Sequence, residues 1–138
     1  MPILNYTTTI KADRSLAQIQ RMLVQARASK VAAEYEDGWP IGMAFELKTI
    51  SGVHQFSMPC RWRQVQAVLV KQRVEPRYRS DQHSLNVAWR ILKDWTEAQL
   101  AIVQAGLVTA DEVFLPYMLV GQNQTVYDGF AHNRLEAK

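Results

Sequence analysis

The patterning of this chain predicts an α+β domain: a small, mostly antiparallel sheet in the order β-α-β-β-β, packed on a long central helix with additional helices around it. One stretch carries most of that expectation. Ser80 to Gly106 has no Pro or internal Gly, opens on a natural N-cap and closes on a glycine suited to the C′ position. Leu85, Ala88, Trp89, Leu92, Trp95, Ile102 and Val103 recur along it at helical spacing. Val87, Ile91, Ala98 and Ala101 widen the stripe over most of the girth, leaving Arg90, Lys93, Asp94 and Glu97 as a narrow charged strip. At about 1.5 Å per residue the helix spans roughly 40 Å. The second observation is a series of short alternating runs between 31 and 58, joined by brief turns, which reads as a meander.

Taken in order, Ile3 to Ile10 alternates Leu4, Tyr6, Thr8 and Ile10 with Asn5, Thr7 and Thr9, which predicts a first strand. A helix of about four turns follows, with Ser15 and Gln18 as a capping box and Leu16, Ile19, Leu23 and Ala26 on its apolar face. Val31 to Glu36 reads as a strand. Asp37-Gly38-Trp39-Pro40 is a turn. Ile41, Met43, Phe45 and Leu47 then mark the buried face of a third strand, and His54, Phe56 and Met58 that of a fourth, which stops at Pro59. Arg61 to Arg73 is a helix buried through Trp62, Val65, Val68 and Leu69, and VEPRYR is a loop. Beyond the long helix, Thr109 and Glu112 form another capping box, PYMLV is a short edge strand or arm, GQNQ a turn and Thr125–Lys138 a weak helix. The 138 residues make one domain, with 118–138 as a loosely packed tail or a dimer arm.

A domain of this size buries enough surface to fold without a metal or a disulfide. Cys60 is the single cysteine, which excludes an internal disulfide and a cysteine-zinc site and fits a reducing compartment. No apolar run reaches 18 residues and the N-terminus lacks a signal-peptide pattern, so a cytoplasmic protein without membrane contact is expected. The net charge of +3 is unevenly spread: residues 61–93 carry eight Lys/Arg against two Asp/Glu, and 94–138 carry two against six. The basic middle suits a phosphate-rich partner, or else meets the acidic C-terminal part within the monomer or across a dimer.

The candidate site lies in CRWRQVQAVLVKQRVEPRYR: Arg61, Arg63, Lys71, Arg73, Arg77 and Arg79 against Glu75 alone, with Tyr78 placed to stack on a base. Arginine forks match phosphate oxygens, and the loop Arg77-Tyr78-Arg79 leads straight into the N-terminus of the long helix, where free N–H groups suit an anion. The competing view makes this a solvated basic face. A second pattern, Asp37 with Glu46-Leu47-Lys48, resembles the acid…Glu-x-Lys arrangement of the PD-(D/E)xK nuclease superfamily, in which carboxylates hold a divalent metal and the lysine positions a water. His54, His83 and His132 show no metal-ligand spacing, and Cys60 beside Arg61 and Arg63 has no identified base. The chain contains no P-loop, G-x-G-x-x-G, HExxH or G-x-S-x-G, and no cofactor is expected. The apolar girth of the long helix points to a homodimer.

At NYTTTI, VAWRILKDWTEAQLAIVQAG and FLPYML the chain resembles a group of small uncharacterised bacteriophage and prophage proteins. The resemblance brings no catalytic residue. It implies two roles: handling nucleic acid, and countering host defence by binding a host protein or a signalling nucleotide. The leading expectation is therefore a non-enzymatic binder of nucleic acid or a nucleotide. A protein-interaction module stands second and a metal-dependent nuclease third.

Overall fold

The structure, a computed structural model, describes residues 1–136. It is α+β, with a three-stranded antiparallel sheet, a two-stranded one and five α-helices among the described residues. Helix α1 (Ala12–Gln25) leads into a meander of β1 (Lys30–Glu36), β2 (Trp39–Thr49) and β3 (Gly52–Pro59), followed by α2 (Trp62–Lys71) and the long α3 (Asp81–Gln104). The C-terminal part holds α4 (Ala110–Phe114), the hairpin β4 (Leu119–Gly121) and β5 (Gln124–Thr125), and α5 (Val126–Glu136). Residues 137 and 138 of the expected terminal helix lie outside the described residues.

The meander forms because its turns are dictated locally. Asp37 and Gly38 both take positive φ (53° and 81°), the backbone of a tight hairpin whose twist matches its strands. A bulge follows: Glu34 pairs with Gly42 and Tyr35 with Pro40, so Ile41 is the extra residue on β2. Met43, Phe45 and Leu47 of β2 and Phe56 and Met58 of β3 turn one sheet face inward. They meet Leu16, Ile19 and Leu23 of α1, Leu85, Ala88 and Trp89 of α3, and Phe114 of α4.

Helix α3 has the caps its sequence promised. Ser80 Oγ accepts the His83 N–H at 3.1 Å. At the other end Gly106 takes φ 77°, and Leu107 N–H returns to the Ile102 carbonyl at 3.1 Å. Its apolar girth is used on two sides, by α1 and the sheet and by α2. Thr109 and Glu112 form the expected reciprocal capping box.

Three expectations change. Residues 3–10 are not a strand: they form turns, with Asn5 at φ 65° and Tyr6 N–H on the Ile3 carbonyl. The edge beside β3 is occupied by Met118, which bridges Phe56, and the segment instead lies on the helices. There Ile3 N–H donates to Gln72 Oε1, Asn5 Nδ2 donates to Asp94 Oδ2, and His83 Nε2 bonds the Tyr6 carbonyl. Second, Ser15 and Gln18 cap nothing. Helix α1 starts earlier, and Asn86 Oδ1 of α3 receives the Ala12 N–H at 2.9 Å. Ser15 and Gln18 instead receive Arg90 Nη1, at 3.3 and 2.6 Å. Third, part of the charged strip on α3 is half-buried: Arg90, Lys93 and Asp94 are partly covered, with the Lys93 side chain, between Asp94 and Glu97, only 13% exposed, while Glu97 stays exposed.

Candidate functional site

Helix α2 is amphipathic in the way its sequence requires. Trp62 and Leu69 are buried, while Arg63, Ala67, Val70 and Lys71 face outward. It ends at Gln72, and Arg73 then takes φ 57°, the left-handed position that usually belongs to glycine. That turn aims Val74 back into the protein, where it is buried, and leaves the Arg73 side chain exposed.

The predicted residues divide into two groups. Arg61, Lys71 and Arg73 are exposed, and among the described residues none has an ion-pair partner. The others are engaged. Arg63 lies 4.6 Å above the Trp62 ring, with Glu36 at 3.9 Å. Arg77 pairs with Glu75 at 3.0 Å and sits 4.7 Å over Tyr78. Tyr78 is half-buried, edge-on to Tyr6 at 5.6 Å and tilted against His83 at 5.2 Å. Its contacts anchor the N-terminal turns. Arg79 is half-buried, with its Nε enclosed and unpartnered, and its carbonyl accepts from Gln66 Nε2 at 2.8 Å.

The start of α3 is less receptive to an anion than its sequence suggests. Ser80 has taken the His83 N–H, and the Asp81 carboxylate stands in the first turn, held by Gln66 at 2.7 Å. A carboxylate there answers the positive helix end and repels a second anion. Within the chain the basic middle meets the acidic C-terminal part only where the two join, at Lys93 with Asp94 and Glu97, among the described residues. The ion pairs of the candidate-site residues among those described run instead to Glu36 and Glu75.

The nuclease pattern does not assemble. Asp37 sits in the β1–β2 turn, while Glu46 pairs across from Lys30 at the far end of β2. Seven residue steps of strand run from Trp39 to Glu46, about 23 Å at about 3.3 Å per step, so Asp37 and Glu46 cannot share an ion. Glu46 is committed locally: Ser29 Oγ at 2.9 Å, then Gln55 Nε2 at 3.2 Å and Lys30, hold its carboxyl below the usual range. Among the described residues no three His, Cys, Asp or Glu side chains cluster to hold a metal. Cys60 is buried, and desolvation pushes its thiol up to about 12 despite the neighbouring arginines, so it is no nucleophile.

Two arrangements had no local signal. A cleft of about 500 Å³ opens between the outer sheet face and the C-terminal segment, with Arg61 at its wall beside Glu34, Ser57, Tyr117 and Tyr127. Its Glu34 and Asp128 carboxylates oppose a phosphate. Elsewhere, Ser51 Oγ donates to Asp111 Oδ2 at 2.8 Å and lies 2.9 Å from His54 Nε2, tying α4 to the β2–β3 turn. That bond, ahead of the Thr109 and Thr49 hydroxyls, holds the Asp111 carboxyl below its ordinary value. Because Asp111 takes the single Ser51 proton, His54 must meet Ser51 as a donor, so the cluster is not an activated serine. Residues from four separated segments build the cleft, and spacing cannot announce such a site.

No protein-family model, curated protein or solved structure matches the chain. Among the described residues no helix is long and apolar enough to cross a membrane.

Proposed function

We propose that this chain is a non-enzymatic binder of a phosphate-bearing polyanion, a nucleic acid ahead of a single nucleotide. Arg61, Lys71 and Arg73 would make the leading contacts, with Arg63, Arg77 and Arg79 beside them. The observation that supports the reading is the set of exposed cations along and around α2 that lack acidic partners among the described residues. Unpaired cations are free to exchange counterions for phosphates. The surface is an exposed helix rather than an enclosed pocket. From Arg61 to Arg73 is about 18 Å at helical rise. A nucleic-acid strand carries a phosphate about every 3.4 Å of axis, so that length is matched by about five of them.

The test is a titration of labelled single strand, duplex and a panel of linear and cyclic nucleotides. Arg61→Glu, Lys71→Glu and Arg73→Glu combined should weaken polynucleotide binding at least tenfold with the melting temperature nearly unchanged. These three are better targets than Arg77 and Arg79, which are packed against neighbours. Binding of neither polynucleotide nor nucleotide would overturn the reading.

A specific observation favours the second reading, a module that binds a partner protein. Leu115, Val120, Tyr127 and Phe130 are exposed in the C-terminal part, and the rings of Tyr127 and Phe130 touch. Capture of a protein that survives nuclease treatment and is lost in Tyr127→Ser with Phe130→Ser would support it.

A further inference from the structure

Among the described residues the three-stranded sheet has one open edge. On the β3 side Met118 bridges Phe56, and the chain runs on into β4. On the other side β1 pairs with β2 alone. Among the described residues no strand covers its second edge. The bulge that distorts this part of the sheet puts its extra residue, Ile41, on β2, so β1 runs unbroken from Lys30 to Glu36. An uncovered seven-residue edge offers a row of backbone donors and acceptors to any strand that lies beside it.

The sequence of that edge, KVAAEYE, is complementary to itself when reversed. Centre an antiparallel pair on Ala33. Ala33 then faces Ala33 of the second copy, Ala32 faces Glu34, Val31 faces Tyr35 and Lys30 faces Glu36. Each Lys30 also has the second copy's Glu34 as its diagonal neighbour on the outer face, where Lys30, Ala32, Glu34 and Glu36 are all exposed. On the inner side Val31 meets Tyr35, a β-branched residue opposite an aromatic ring, and Tyr35 is 59% exposed in the single chain. A pair centred on Ala32 keeps Lys30 opposite Glu34 but gives up the Val31–Tyr35 contact, and two further arrangements are penalised by charge. A parallel, in-register pair sets Glu34 against Glu34 and Glu36 against Glu36. An antiparallel pair centred on Glu34 sets that residue against itself.

We propose that β1 is a self-pairing edge: a second copy of this chain docks antiparallel along Lys30–Glu36, centred on Ala33, to give a continuous six-stranded sheet. The two-fold symmetry makes each contact occur twice. Main-chain hydrogen bonds supply the attraction, the charges, exposed and individually weak, favour the antiparallel sense, and the Val31–Tyr35 pair favours the Ala33 centre. Within one chain these groups are already lightly engaged. Lys30 lies 3.9 Å from Glu46, Glu36 lies 3.9 Å from Arg63, and Ser57 Oγ donates to Glu34 at 3.3 Å. None of these long, exposed contacts prevents the new pairing. The inference does not rest on the ligand reading: α2 reaches the edge through the Arg63–Glu36 contact at 3.9 Å, and no residue of α2 enters the strand pairing.

Sedimentation of the full chain over a range of concentrations tests it. The expected particle has twice the 15.8 kDa chain mass, and a monomer throughout would overturn the proposal. Glu34→Lys with Glu36→Lys places lysines opposite and diagonal to Lys30. It should raise the dissociation constant at least tenfold with the circular dichroism unchanged, and an unaltered dimer would contradict the assigned edge. Register is read by mixing Lys30→Cys and Glu36→Cys proteins under mild oxidation. Directly opposed residues lie within disulfide reach, so the mixture should cross-link, whereas either variant alone should not. A dimer whose mixture fails to cross-link would overturn this register.

Discussion

Arg73 does two jobs at one position. Its backbone, at φ 57°, ends α2, and its exposed side chain adds a cation to the basic surface. A left-handed residue with a side chain costs about 1–2 kcal/mol, and glycine there gives back about 0.5–1 kcal/mol in chain entropy. Arg73→Gly should therefore leave stability unchanged or raise it by up to about 1.5 kcal/mol, while weakening polynucleotide binding. Chemical denaturation beside a titration checks both halves, and a destabilised protein would show that the side chain is structural. Asp111 makes a prediction in acid. Its carboxyl is held below the ordinary value, so its contribution is complete above about pH 3.9, the unfolded value, and fades as pH falls through the folded one. Urea unfolding should show Asp111→Asn less stable than the parent at pH 6, with the gap closing toward pH 3. A gap that stays constant with pH would contradict that role. Single residues were also where sequence reading slipped. Ser15 and Gln18 have the spacing of a capping box, but the same spacing puts both on the helix face that meets Arg90, and only the packed partner distinguishes the two uses.

The elements with chemically local boundaries were the legible ones. Ser80, Gly106 and the Thr109–Glu112 pair satisfy backbone groups within a turn or two of themselves, so their patterns survived folding. The meander was legible because Asp37-Gly38 leaves the chain one tight turn. The expected strand at 3–10 failed for a non-local reason. Alternation describes a segment that fits a sheet, but its place in the order was decided by Met118 holding the β3 edge, and by Gln72, His83 and Asp94 binding the segment elsewhere. Among the elements, α4 carries a disproportionate share of the packing. Phe114, fully buried, lies within 5.3–5.9 Å of the rings of Phe45, Phe56 and Trp95, so one short helix joins the sheet to α3. Phe114→Ala should cost about 3–5 kcal/mol, measured by denaturant unfolding. A loss under about 1 kcal/mol would mean that the cluster closes over the gap.

Across the whole molecule, charge was legible in amount and not in arrangement. The excess of Lys and Arg between 61 and 93 is plain from composition. Its division into exposed Arg61, Lys71 and Arg73, half-buried Arg79, and the engaged Arg63, Arg77, Arg90 and Lys93 depends on Glu36, Glu75, Gln18, Asp94, Glu97 and two aromatic rings. The Asp37, Glu46 and Lys48 pattern failed at this same scale, because a single strand holds its ends too far apart. What remains is a basic helix face on an α+β frame with a sheet edge that no strand covers among the described residues. The measurement that bears most directly on it is the salt dependence of single-strand affinity for the parent and the Arg61→Glu, Lys71→Glu, Arg73→Glu variant. Three phosphate contacts predict a slope of log affinity against log salt near −2, at about −0.7 per contact, which flattens toward zero in the variant. Affinity that ignores salt, or a variant that binds with the parent's slope, would contradict the account.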